Sequence, residues 1–214
     1  MSKLPSGILA VTDRTQARRP LHDLARAALE AGFAAIMLRE KDLPGGPLHE
    51  LAESLEAVCR AAGRPLLVND RLDVALAFPG VGAHVGIHGI PVPEARRLLG
   101  PDRLLGFSAH TVDEARAALA AGADYVTMSP IFHSRSKPDL CPRGVSFLED
   151  AVRQLPPENV VALGGIDASN LAAVRRTGAH GAAVMGALMR AENPVAAARA
   201  LVTAWNAGAH GHSG

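Results

Sequence analysis

Eight apolar runs of strand length recur along the chain, at Gly7–Thr12, Ala34–Leu38, Pro65–Val68, Ala83–Ile87, Leu104–Phe107, Tyr125–Met128, Val160–Leu163 and Gly181–Met185. They are continuous rather than alternating, as parallel strands covered on both faces must be. Helical patterns lie between them. Leu48, Leu51, Leu55 and Val58, for example, are spaced by threes and fours and put one apolar stripe toward a sheet. A local formula precedes several runs: Gly32-Phe33, Gly82-Ala83-His84, Gly122-Ala123-Asp124 and Gly178-Ala179-His180. Glycine there can take the left-handed conformation that ends a helix. Thr111 and Glu114 have the spacing of a capping box, and Pro194 suits the first turn of the last helix.

Eight strand–helix units predict an α/β fold, a single-domain (β/α)8 TIM barrel, and 214 residues suffice for one. The competing open, doubly wound sheet usually has a glycine-rich turn after its first strand, and Thr12-Asp13-Arg14 is not one. The barrel is expected over residues 1–208. The tail at 209–214 lacks apolar periodicity and is expected to fray, so His210 and His212 have no scaffold on which to hold a metal. The balance of 22 basic and 21 acidic residues, with 3% aromatic content, argues against a nucleic-acid or anionic-membrane partner. Cys59 and Cys141 lack metal spacing and are expected to be reduced thiols. The first residues contain no signal-type apolar stretch, and no uncharged run is long enough to span a bilayer, so a cytoplasmic protein is expected.

Barrel enzymes place their chemistry at the carboxyl ends of the strands, so the polar residues after each run carry the functional reading. Arg39, Glu40 and Lys41 follow the second run, Asn69 and Asp70 the third, and Gly86-Ile87-His88-Gly89 the fourth. Ser108 and His110 follow the fifth. Ser129 follows the sixth and opens a long loop over 132–144 that contains His133, Ser134 and Lys137 and has the punctuation of a lid or a fixed rim. Gly164-Gly165 and Gly186 follow the last two runs, where backbone N–H groups of a barrel commonly close around a phosphate. Lys137 and Ser134 are placed to cover it. Arg39 and Lys41, two apart, point to one side and suit an anionic substrate, with Glu40 turned away. His110 is the candidate proton carrier. His84 lies inside a strand and reads as an interior residue, while His88 and His133 carry no assignment.

Seven motifs, Ile8-Leu-Ala-Val-Thr-Asp13, Leu38-Arg-Glu-Lys41, Val68-Asn-Asp-Arg71, Ala83-His-Val-Gly86, Gly106-Phe-Ser-Ala-His110, Ser129-Pro-Ile-Phe132 and Ala162-Leu-Gly-Gly-Ile166, occur in one order over nearly the whole chain. Together they resemble the superfamily of thiamine phosphate synthases and TenI-like thiazole tautomerases. The resemblance implies thiamine biosynthesis, and it divides the function in two. A synthase joins a pyrimidine diphosphate to a thiazole phosphate and needs Mg2+ held by carboxylates. Its usual Gln-x-Arg-Glu-Lys motif has Met37 here in place of glutamine, and its second acidic ligand is replaced by Gly89, leaving Asp70. The sixth loop reads Ser134-Arg-Ser-Lys137-Pro138 rather than Thr-x-x-Lys-Lys, and Pro142-Arg-Gly-Val-Ser146 resembles the tautomerase segment.

The expectation is therefore a thiazole tautomerase, an isomerase that aromatises a carboxythiazole phosphate by one proton shift through His110, without cofactor or metal. Arg39, Lys41, Asn69, Ser108, Ser129, Ser134 and Lys137 form its expected substrate site, with Arg39 on the substrate carboxylate. Gly164, Gly165 and Gly186 hold the phosphate of this small thiazole substrate. The alternatives are a Mg2+-dependent thiamine phosphate synthase using Asp70, with His88 as a further ligand, and a non-catalytic thiazole or thiamine phosphate-binding regulator. A homodimer burying part of the barrel rim would be ordinary.

Overall fold

A computed structural model describes residues 3–134 and 140–209. The eight strands are β1 (Gly7–Val11), β2 (Ala35–Leu38), β3 (Leu66–Asn69), β4 (Gly82–Val85), β5 (Leu105–Ala109), β6 (Tyr125–Met128), β7 (Val160–Leu163) and β8 (Gly181–Val184). They form a closed barrel in chain order, every neighbour parallel, and β8 returns to β1 through the register Ile8↔Ala182. The barrel expected from the eight runs is thus the observed fold. Its helices are α1 (Leu21–Ala31), α2 (Gly45–Ala61), α3 (Leu72–Leu76), α4 (Val92–Leu99), α5 (Val112–Ala120), α6 (Gly144–Gln154), α7 (Leu171–Arg176), α8 (Gly186–Met189) and α9 (Pro194–Ala207).

Continuous apolar strands separate into two layers because successive side chains point to opposite faces. Ile8, Ile36, Val68, Val126 and Ala182 pack outward under the helices, whereas Leu9, Met37, Leu67, Tyr125 and Val161 fill the interior. The helices present matching stripes. In α2 the buried positions are Leu48, Ala52, Leu55 and Cys59, so the stripe is turned by one residue from the expected one and Leu51 and Val58 sit at its border. The capping box is present in full, with the Thr111 hydroxyl accepting from Glu114 N at 3.1 Å. Pro194 occupies the first turn of α9.

Gly32, Gly122 and Gly178 take the left-handed conformation expected of helix ends, at φ 107°, 106° and 85°. Gly82 does not; it is the first residue of β4, and the turn before it uses Gly80 at φ 80°. Cys59 and Cys141 are both free, and burial pushes the Cys59 thiol up to about 12. No helix among the described residues is long and apolar enough to cross a membrane. Lys137 and the tail residues 210–214 lie outside the described residues.

One interior layer is polar, directly beneath the mouth. His84 is fully buried, with Nδ1 3.0 Å from the Tyr125 hydroxyl and Nε2 2.8 Å from Ser108 Oγ. The layer fits because Gly106 on β5 has no side chain: a Cβ there would collide with both the Tyr125 ring and His84 Nδ1. Burial lowers the His84 pKa to about 4, with Asp70 opposing, and raises that of Tyr125. His84 is the interior residue expected from its place in the fourth run.

Candidate active site

The carboxyl ends of the strands carry three adjoining cavities. The first, of about 450 Å3, lies over the ends of β2 to β6. The last, of about 370 Å3, lies over β7 and β8. A waist of about 90 Å3 joins them. Leu163 borders all three; Val11, Arg39 and Ser129 are shared by the first and the waist, and Ser134, Gly164 and Met185 by the waist and the last. The result is one groove across the barrel mouth.

The first cavity gathers Arg39, Lys41, Asn69 and Asp70, together with Ser108, His110 and Ser129. Arg39 is aimed by its neighbours. Buried Glu40 accepts from the Thr12 hydroxyl at 2.6 Å and from Arg14 N at 3.0 Å, and Thr12 Oγ1 accepts in turn from Arg39 N at 2.9 Å. Glu40 is thereby locked between the first two loops, away from the cavity, which leaves Arg39 and Lys41 on its wall. Its carboxyl is pushed up by burial, with the Thr12 and Arg14 hydrogen bonds opposing. Arg39 makes no ion pair among the described residues, while Lys41 Nζ stands 3.9 Å from Asp70 Oδ2.

Asp70 has the one positive φ among the described non-glycine residues, 60°. A short polar side chain tolerates that conformation better than most. Gly86 N donates to its Oδ1 at 3.0 Å, tying the third loop to the fourth. Gly89 completes this contact, since a Cβ there would stand 3.0 Å from the same oxygen. His88 also lines the cavity and is exposed.

Ser108 belongs to β5 itself rather than to the loop after it, because the strand continues to Ala109. Its orientation follows from satisfying the buried layer. The Tyr125 hydroxyl has His84 Nδ1 as its partner and donates to it; His84 then carries its proton on Nε2 and donates to Ser108 Oγ. Thr127 Oγ1, 3.5 Å away, gives a second, weaker contact. Ser108, which lines the cavity, is left with its own proton to donate. His110 immediately follows β5; its Nδ1 donates to the Ser129 carbonyl at 2.9 Å, which leaves Nε2 as an acceptor.

In the last cavity the wall is mostly backbone. Gly164 and Gly165 have φ of 107° and 63°, which favour glycine, and a Cβ on Gly164 would stand 2.9 Å from Pro130 Cα. At Gly165 a Cβ would collide with the His133 carbonyl. Gly186 opens α8, and His133 and Ser134 enter from the sixth loop. The expected residues therefore divide between the two ends of one groove, Lys137 excepted because it lies outside the described residues. Sequence reasoning missed Arg190, which also lines the last cavity with its guanidinium over Gly186. Its only signal was a position four residues beyond that glycine.

A two-ended groove, cationic at one end and glycine-walled at the other, thus lies at the strand ends of the barrel, the place where barrel enzymes carry their active sites. The chain belongs to the family described as thiamine monophosphate synthase, whose model matches residues 8–188. A thiamine-phosphate synthase of Roseiflexus castenholzii is 46% identical over 204 residues, covering 92% of this chain and 88% of that one. One from Anaeromyxobacter dehalogenans is 50% identical over 186 residues, covering 86% and 82%. The solved thiamine phosphate pyrophosphorylase of Pyrococcus furiosus superposes with a TM-score of 0.86 at 32% identity, covering 96% of each chain.

These relatives overturn the tautomerase, and with it the isomerase class. The expectation rested chiefly on Gly89, read as the loss of magnesium chemistry, with Met37 and the sixth-loop sequence as further grounds. Magnesium is commonly held by one or two protein carboxylates plus substrate phosphates, so one missing carboxylate does not exclude it. The proton-carrying role expected of His110 and the carboxylate partner expected of Arg39 were both drawn from that reaction.

Proposed function

We propose that the protein is a thiamine phosphate synthase, a transferase that joins hydroxymethylpyrimidine diphosphate to thiazole phosphate and releases pyrophosphate. The carrying observation is the continuity of the three cavities: two substrates that must bond to each other need two lobes joined by a passage, whereas a proton shift within one substrate needs only one. Arg39 and Lys41 bind the diphosphate in the first lobe. Gly164, Gly165 and Gly186 hold the thiazole phosphate in the last, with Ser134 at the waist. Asn69, Ser108 and Ser129 line the first lobe, and Ser129 also borders the passage.

The reaction breaks the bond between the pyrimidine methylene carbon and its diphosphate oxygen, and the bonding pair leaves with pyrophosphate. The thiazole ring nitrogen supplies the pair for the new carbon–nitrogen bond. No proton need move in this coupling. What the protein supplies is orientation of the two rings and stabilisation of the leaving charge. Ser108, whose oxygen His84 occupies, keeps its own hydroxyl proton to donate to that charge, and Arg39, which makes no ion pair among the described residues, lines the same lobe.

Mg2+ fits this site as an ion completed by substrate. Asp70 is partly exposed to the cavity, and no group of three or more potential ligands occurs among the described residues. Asp70 would hold it together with diphosphate oxygens and waters. When bound there, Mg2+ neutralises charge on the departing diphosphate. The test is to mix both substrates with the purified protein, with and without Mg2+, and follow thiamine phosphate and pyrophosphate together. Equal amounts of both products, only with Mg2+, are expected; no product in either mixture overturns the proposal.

A further inference from the structure

We propose that Arg190 is a specificity residue for the phosphate of the thiazole substrate, held in place by Gln16 and Asp13 from the other side of the barrel seam. This rests on the synthase reading above, in which the lobe over β7 and β8 takes that phosphate.

Glycine N–H groups can orient a phosphate but carry no net charge to offset a dianion. Among the described residues lining the last cavity, Arg190 is the sole lysine or arginine. Its guanidinium lies over the face of Gly186 that a Cβ would occupy, and both residues line the cavity that Gly164 and Gly165 close from β7. The cavity also has an acidic wall residue, Asp167, whose Oδ1 is held by Ser169 N at 2.9 Å and Ser169 Oγ at 2.5 Å. An incoming phosphate meets that carboxylate as well, which makes a matching cation more important.

Arg190 is exposed, and an exposed arginine alone would be poorly fixed. Here one Nη1 hydrogen donates to Gln16 Oε1. The amide is itself oriented, because Gln16 Nε2 donates to Asp13 Oδ2 at 2.5 Å. Asp13 is anchored through its other oxygen by Thr15 N at 3.1 Å and Thr15 Oγ1 at 2.6 Å. Burial raises its pKa, but the Thr15 and Gln16 hydrogen bonds outweigh this and keep it below the usual value. The acid nearest in sequence, Glu192, is paired with Arg18 and does not compete for the guanidinium. Gln16 therefore occupies one of five guanidinium donors and leaves the remainder of the fork for a phosphate.

The chain from Asp13 through Gln16 to Arg190 joins the loop after β1 to the end of α8, across the seam where β8 pairs with β1. The loop that follows the first strand thereby acts on the phosphate lobe without touching it. Gln16 is a positioning residue, and Arg190 the contact.

The test compares two ligands, thiazole phosphate and the corresponding thiazole alcohol, by titration calorimetry on the wild type, Arg190→Gln, Arg190→Lys and Gln16→Leu. Wild type is expected to prefer the phosphate. Arg190→Gln should weaken phosphate binding roughly tenfold or more, as removal of a charge-assisted pair does, while alcohol binding stays within about twofold. Arg190→Lys should recover part of that preference, and Gln16→Leu should lose part of it. Equal weakening of both ligands, or of neither, in Arg190→Gln would overturn the role of Arg190 while leaving the phosphate lobe intact. A wild type that binds neither ligand, or binds both alike, would overturn the phosphate-lobe reading and this inference with it.

Discussion

In the proposed synthase the two ends of the groove face the same task, holding an anion, and they are built of different materials. Over β2 to β6 the wall is built of side chains: Arg39 and Lys41, the carboxylate of Asp70, and the Ser108 hydroxyl propped by a buried histidine. Over β7 and β8 it is built of backbone, at glycines whose conformation and surroundings exclude other residues. The first end should therefore respond to changes of charge and the second to changes of volume. A side-chain wall can lose a function and keep its shape, whereas a backbone wall loses both together.

Asp70→Asn is the sharpest way to break the comparison, because it removes one charge and almost no volume. Synthase turnover should fall by roughly a thousandfold if Asp70 holds Mg2+ as proposed. The melting temperature should barely move. A variant that unfolds would show that the side-chain end is structural too. Gly165→Ala tests the opposite end. The new methyl must sit at φ 63° and against the His133 carbonyl. A loss of about 2 kcal/mol in stability is expected together with a raised KM for thiazole phosphate, read by denaturant melts and steady-state kinetics. A change in KM for the pyrimidine diphosphate alone would contradict the division of the groove.

The fold was legible because parallel strands in a barrel leave a plain mark, a continuous apolar run, at each of eight places. The two-layer packing was legible in kind but not in phase: Leu51 and Val58 were expected inside the stripe of α2, and the structure puts Ala52 and Cys59 there. Small residues can occupy a tight helix–barrel contact that spacing alone assigns to larger ones. The site residues at strand ends were legible for the same reason as the fold, since an end is defined once a run is. Arg190 was not. It stands beyond a strand end by a turn of helix, and its partner Gln16 is 174 positions away. The choice between the two family reactions failed for a physical reason as well. It counted protein ligands for magnesium and left out those that a diphosphate brings with it. The continuous groove, the feature that best separates one substrate from two, exists only after folding.

The buried layer under the side-chain end offers a measurement on stability rather than turnover. His84 would titrate near 6.5 in the unfolded chain and is held to about 4 in the fold by burial. Between those values the unfolded state binds a proton that the native state refuses, so stability is full above about pH 6.5 and declines as pH falls. At pH 5 the loss attributable to this one group is about 2 kcal/mol. Urea melts at pH 7.5 and pH 5 should show that difference in the wild type. It should shrink by about that amount in His84→Asn, which removes the titrating ring and separates it from the protonation of carboxylates elsewhere. An unchanged difference would mean that His84 reaches water in the folded state.

The smallest effect is expected at the residue first assigned the largest. His110 faces the side-chain end and would be indispensable if the reaction required a proton acceptor. Coupling a methylene carbon to a ring nitrogen, with departure of pyrophosphate, requires none. What remains for the imidazole is its Nδ1 hydrogen bond to the Ser129 carbonyl, a contact of 2.9 Å between the end of β5 and the loop after β6. Glutamine retains an N–H donor of similar reach, so His110→Gln should keep synthase turnover within roughly tenfold of wild type, the scale of one hydrogen bond weakened rather than lost. The pH profile of kcat should also be unaltered near neutrality, since a general base would impose its own titration there. A loss of a thousandfold in the variant would restore a proton transfer to the mechanism. It would then have to be found in ring orientation or product release, because the bond-forming step does not contain one.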